Sequence, residues 1–255
     1  MGVDCTREPP VATITISNPE RKNAIDAPTA ETMADHVNDL AHDDSIRCVV
    51  VTGEGDAFCS GLDLAGDMGG LSPAGELEVG LNAIVRRLLR MEKPTIARVR
   101  GPAVGAGASI ATACDFVYAD EDAFFQWGFT NIGLAPDTGA TYVLPRLVGT
   151  RRAMELLAFG ERVDADDADE EGIVTETLPT EGFDDAVDDR ADQLAGRPTL
   201  ALGETKRLVY GSHDQSLGET LQDEARAQER MIETEDFGEG IAAFLAGRDP
   251  EFEGR

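Results

Sequence analysis

The feature that most constrains this chain is a run of small residues at 101–115, Gly-Pro-Ala-Val-Gly-Ala-Gly-Ala-Ser-Ile-Ala-Thr-Ala-Cys-Asp, entered from the strand-like segment 95–100. With so little side chain between Gly101 and Ser109, the backbone can approach another segment closely and turn directly into a helix. Such a helix starts with unpaired N–H groups and the positive end of its dipole, which suits a developing oxyanion. A tight, close-packed turn with no chemistry accounts for the same residues. Gly105-x-Gly107 could also open a dinucleotide fingerprint, but the third glycine position holds Ile110, which removes that reading.

The rest of the chain alternates between the two hydrophobic periods. Strands are expected over 11–17, 47–52, 95–100, 116–119 and 123–125, with another short one after Gly172-Ile173-Val174. The 47–52 run is apolar throughout, as in a strand buried on both faces. Asp26, with Pro28 behind it, predicts a helix running to about His42, and apolar spacing predicts another over 77–91. Helices follow over 138–147, 151–159, 166–171, 183–194, 198–209, 217–232 and 240–246. This order predicts an α/β core over residues 1–195 and a helical region over 196–255.

Of the 255 residues, 49 are acidic and 22 basic, giving a formal net charge of −27. The excess is spread along the chain, which reads as a solvation strategy for a salt-rich cytoplasm rather than an interaction tail. It argues against nucleic acid and anionic membrane as partners, and no apolar run is long enough to span a bilayer. The letters of a myristoylation signal at Met1-Gly2 have no basic patch behind them, and no secretory signal is visible. Cys5, Cys48, Cys59 and Cys114 lack metal-type spacing and read as reduced thiols. His36, His42 and His213 read as surface residues, and Trp127 as core or pocket wall.

Four segments in order resemble the crotonase (enoyl-CoA hydratase/isomerase) superfamily: Asn18-Pro-Glu-Arg-Lys-Asn-Ala24, Gly53-Glu-Gly-Asp-Ala-Phe-Cys-Ser-Gly-Leu-Asp-Leu64, the 101–115 run, and the 133–149 stretch beginning Gly-Leu-Ala-Pro-Asp-Thr-Gly. The resemblance implies a spiral of ββα units with a helical C-terminal trimerisation region, assembled as a homotrimer or a dimer of trimers. It implies an acyl-CoA thioester as substrate and no separate cofactor or metal, coenzyme A being part of the substrate. It also implies that the N–H groups of Leu62 and Ala106 hold the thioester oxygen while an enolate forms. Main-chain donors make the identity of those side chains unimportant.

The acid–base positions distinguish the reactions of this family. Hydratases carry two Glu residues, at positions that map to Ser109 and Phe129 here, so ordinary hydration is not expected. Asp137 remains. On local grounds it reads as the N-cap of a helix starting at Thr138. By resemblance its position carries the catalytic carboxylate of several isomerases and the nucleophile of the 4-chlorobenzoyl-CoA dehalogenase. An enoyl-CoA isomerase with Asp137 as acid/base, shifting a double bond or rearranging a ring, is therefore expected. Hydratase-like lyase, dehalogenase or thioesterase chemistry is the alternative within the family, and non-catalytic acyl-CoA binding the alternative outside it. Arg21, Lys22, Ala24, Ser60, Asp63 and Leu64 are expected to border coenzyme A, with Ser109 and Phe129 beside the acyl group. Arg248 and Phe252 are assigned to closing a neighbouring subunit's site.

Overall fold

A computed structural model of the chain describes residues 2–64 and 73–255. In chain order its elements are β1 (Gly2–Glu8), β2 (Val11–Ser17), α1 (Ala27–Ala41), β3 (Cys48–Gly53), α2 (Pro73–Val79), α3 (Leu81–Arg90), β4 (Thr95–Val99), β5 (Pro102–Val104) and α4 (Ala106–Thr112). They continue with β6 (Phe116–Asp120), β7 (Phe124–Gln126), α5 (Ala140–Phe159), β8 (Arg162–Asp164), α6 (Ala165–Glu170) and β9 (Glu176–Leu178). The C-terminal helices are α7 (Phe183–Ala195), α8 (Thr199–Ser212), α9 (Leu217–Met231) and α10 (Glu235–Ala246).

One sheet runs β1-β2-β3-β4-β6-β9 and is parallel from β2 onward, with β1 added antiparallel at its edge. A smaller sheet runs β5-β7-β8. The chain passes from β4 to β5 and from β6 to β7, so each turn lays one strand in each sheet, the crotonase-like spiral. The larger sheet is buried on both faces. Along β3, Val49 and Val51 join the main core, whereas Cys48 and Val50 face a second cluster built on Phe183, Val187, Ala191 and Ala195 of α7. That is why 47–52 is continuously apolar rather than alternating.

Asp26 caps α1 by accepting from Thr29 N–H at 2.9 Å. The expected 77–91 helix is two, broken at Gly80. α5 is continuous in hydrogen bonding but non-helical at Gly149 (φ 77°, ψ 159°), so the two helices read from the sequence meet at that kink. Strand β1 was not expected, because its exposed, charged outer face carries no apolar alternation; pairing with β2 makes it.

α8 is fastened to the core by Lys206. Its Nζ donates to the carbonyls of Leu88 (2.6 Å) and Lys93 (3.4 Å) and to Asp115 Oδ2 (2.7 Å). Asp115 also accepts from Thr95 N–H and hydroxyl and from the Tyr210 hydroxyl. The tail is fastened by Asp236, which accepts the N–H groups of Glu253 and Gly254, and by Arg47, which donates to Thr199 Oγ1 and to the carbonyls of Arg197 and Phe252. Arg248 pairs with Glu239 of its own chain. Among the described residues no helix is long and apolar enough to cross a membrane.

Candidate active site

The segment after β3 runs alongside β5. Phe58 and Cys59 N–H donate to Pro102 O, both at 3.1 Å, and Val104 N–H donates back to Cys59 O at 2.8 Å. Ser60 N–H then bonds to Lys22 O, and Gly61 O accepts from Ile25 N–H, so two successive residues face residues 22–25. A regular strand would alternate. Gly61, with φ 93°, breaks the alternation, and Leu62, bridged to Ile25, directs its N–H away from that residue.

The two segments touch through glycines. A Cβ on Gly61 would lie 2.8 Å from Val104 O and 3.5 Å from Ala106 N, and a Cβ on Gly107 would overlap the Cys59 carbonyl. Gly105 (φ 56°, ψ −118°) makes the turn into α4, with its N–H fixed on Gln126 O at 2.7 Å. Ala106 is the first helical residue, so its N–H has no partner inside the helix. Among the described residues, neither Leu62 N–H nor Ala106 N–H donates to a backbone carbonyl. Cys59 lies beside this crevice, but burial pushes its thiol up to about 12, leaving it unsuited to attack.

Around the same turn, Arg21 forks onto both oxygens of buried Asp63 at 2.7 Å, and exposed Lys22 pairs with Asp56 at 2.6 Å. Ser60 Oγ donates to Arg21 O, Ala24 is buried, and Leu64 is exposed. Asn23, which sequence reasoning left without a role, ties this loop down. Fully buried at φ 58°, it donates to Glu54 O and Ala57 O and accepts from Asn18 N–H. Asparagine in a polar loop was the available signal, since it tolerates the left-handed region.

Ser109 is buried in α4, and its hydroxyl donates to Gly105 O at 3.1 Å. Phe129 is buried on a single 3-10 turn after β7, whose end is held to Gly105. Asp137 precedes α5, which packs against α4. The helix starts at Ala140, not Thr138, and its N-cap is Gly139 with no side-chain cap. Asp137 is therefore not an N-cap. Thr138 and Gly139 both adopt positive φ (51° and 77°) and separate Asp137 from the first helical residue. The carboxylate is half-buried and accepts from Thr138 Oγ1 at 2.7 Å. Burial raises its pKa above the usual 3.8, and the Thr138 hydrogen bond opposes that rise.

The sequence pattern of the enoyl-CoA hydratase/isomerase family matches residues 6–255. The chain belongs to this family. It is 36% identical over 250 residues to the 1,2-epoxyphenylacetyl-CoA isomerase of Escherichia coli (strain K12), covering 96% of this chain and 95% of that one. It is 33% identical over 241 residues to the 4-chlorobenzoyl coenzyme A dehalogenase-2 of an Arthrobacter species, covering 92% and 87%. The crystal structure of enoyl-CoA hydratase from Bacillus anthracis superposes with a TM-score of 0.92 at 28% identity, covering all of both chains. The enoyl-CoA hydratase/isomerase family thus accounts for residues 6–255 and makes the chain an acyl-CoA enzyme. Relatives named for three different reactions match this chain, so the reaction must be argued from side chains.

Proposed function

We propose that this enzyme is an enoyl-CoA isomerase with Asp137 as its single acid–base group. The observation that carries the reading is the state of that carboxylate: half-buried, released from capping, and without an ion-pair partner among the described residues. Burial without a compensating cation makes a carboxylate a stronger base than an exposed one. The N–H groups of Leu62 and Ala106 bind the thioester oxygen. Asp137 removes a proton from C2 of a 3-enoyl-CoA, the C2–H electron pair becomes part of a dienolate with its charge on that oxygen, and the proton returns at C4. The double bond moves from C3–C4 to C2–C3. Hydration would need a second group to activate water, and positions 109 and 129 hold Ser and Phe.

Arg21, Lys22, Ala24, Ser60, Asp63 and Leu64 border coenzyme A, with Asp63 holding the Arg21 guanidinium in place. No additional cofactor takes part. The protein assembles as a homotrimer or dimer of trimers in a salt-rich cytoplasm. The exposed Phe237, Ile241, Phe244 and Leu245 of α10, at helical spacing on one stripe, support assembly, and the charge of −27 supports the salt requirement. The test is D137N, assayed for conversion of 3-enoyl-CoA to 2-enoyl-CoA with crotonyl-CoA hydration in parallel. A fully active Asn variant, or rapid hydration by the wild type, refutes the reading. The 33% identity to a dehalogenase supports a second reading, with Asp137 as nucleophile; chloride release from 4-chlorobenzoyl-CoA decides for it.

A further inference from the structure

Thr138 combines an unfavourable backbone with a committed side chain. It is buried and has φ 51°, a conformation in which the Cβ of a branched residue crowds the following carbonyl. Glycine or asparagine fits such a position with less strain, and the next residue, also at positive φ, is Gly139. Threonine at 138 therefore offers something that an unstrained residue would not. Its Oγ1 donates to Asp137 Oδ1 at 2.7 Å, the one hydrogen bond that reaches this carboxylate among the described residues.

A carboxylate has two equivalent oxygens and rotates freely unless one is held. The geometry points to Thr138 as a positioning residue: its hydroxyl fixes Asp137 Oδ1 and leaves Oδ2 to exchange the proton with substrate. When Oδ2 takes the proton from C2, Oδ1 becomes the carbonyl oxygen of a carboxylic acid and still accepts from Thr138. The acid thus keeps its orientation until Oδ2 returns the proton at C4 and the carboxylate is restored. No oxidant or second acid is needed. The two left-handed residues serve the same end, because they start α5 at Ala140 and keep its free N–H groups from drawing the carboxylate into a cap. This inference rests on the reading of Asp137 as the acid–base group.

The test is steady-state isomerisation of 3-enoyl-CoA by full-length T138V, T138S, D137N and the double variant D137N/T138V. Valine keeps shape and branching but has no donor. Its kcat is expected to fall by about tenfold to a hundredfold, the scale of a misplaced reacting group. KM should stay within about twofold, since binding is not the affected step. T138S should recover most of the loss, and T138V should cost nothing further in the D137N background. Wild-type kcat in T138V with an inactive D137N overturns this inference alone. T138S as poor as T138V also overturns it, because the methyl packing would then be what matters. Should T138V fail to fold, T138A against T138S isolates the hydroxyl, and equal rates in those two overturn it. A fully active D137N overturns the reading of Asp137 instead.

Discussion

Gly107 lies directly against Cys59: a Cβ at 107 would overlap the carbonyl oxygen that accepts from Val104 N–H at 2.8 Å. This contact, with that of Gly61 on Ala106, sets how near the 59–61 segment comes to the start of α4. G107A must push the two segments apart. We expect a loss of about 1–3 kcal/mol in stability, the usual scale of overpacking, and, on the proposed oxyanion role of Leu62 and Ala106, at least a tenfold drop in kcat/KM from a displaced donor. Denaturant unfolding and isomerase kinetics measure the two; unchanged kinetics would show that the spacing is unimportant.

The raised pKa of Asp137 has two consequences of known sign. On the proposed reading Asp137 is the base and must be ionised, so kcat/KM should fall as pH drops through a value above 3.8. In stability, a carboxyl whose folded pKa is raised destabilises the fold when ionised. That effect is complete above the folded pKa and absent below 3.8, the unfolded value. D137N should therefore match or exceed wild-type stability at neutral pH, the difference closing in acid. Loss of more than about 1 kcal/mol in the Asn variant at neutral pH would contradict this.

Lys206 and Asp115 form a largely buried pair at 2.7 Å that joins α8 to the end of the 101–115 run. K206M leaves Asp115 with Thr95 and Tyr210 but no cation. A cost of roughly 3–5 kcal/mol is expected for one partner of a buried pair. Thermal unfolding measures it, and a melting temperature within a degree or two of wild type would contradict it.

Phe244 and Leu245 are among the most exposed apolar residues, at 82% and 79%. F244E/L245E should convert the proposed trimer or hexamer to smaller species by light scattering in molar salt; a wild-type monomer under those conditions refutes the assembly. Wild-type stability should decline in dilute buffer, where 49 acidic residues repel one another over longer distances. Unchanged unfolding there would refute the salt dependence.

Much of the secondary structure was legible because its causes are local. Asp26 before Pro28 starts α1 by capping it, and the unbroken apolar run at 48–51 makes a strand that only a doubly covered sheet accommodates. Strands β5 and β8, three residues each, were not legible, since pairing with β7 rather than their own residues makes them strands. At Asp137 the local argument failed outright: a capping residue type at a helix start is not a cap, because positive φ at Thr138 and Gly139 delays the helix by two residues.

By itself the sequence determined the fold class, the family and the absence of a Glu pair at positions 109 and 129, since motif order and residue identity need no coordinates. Only the tertiary structure decided that Gly61 lies against Ala106, that Asn23 braces the loop carrying Arg21, and that Asp137 is turned to Thr138 rather than to its helix. Those are contacts between segments distant in sequence, or backbone angles held by surrounding packing, and neither is encoded in the preference of any single residue.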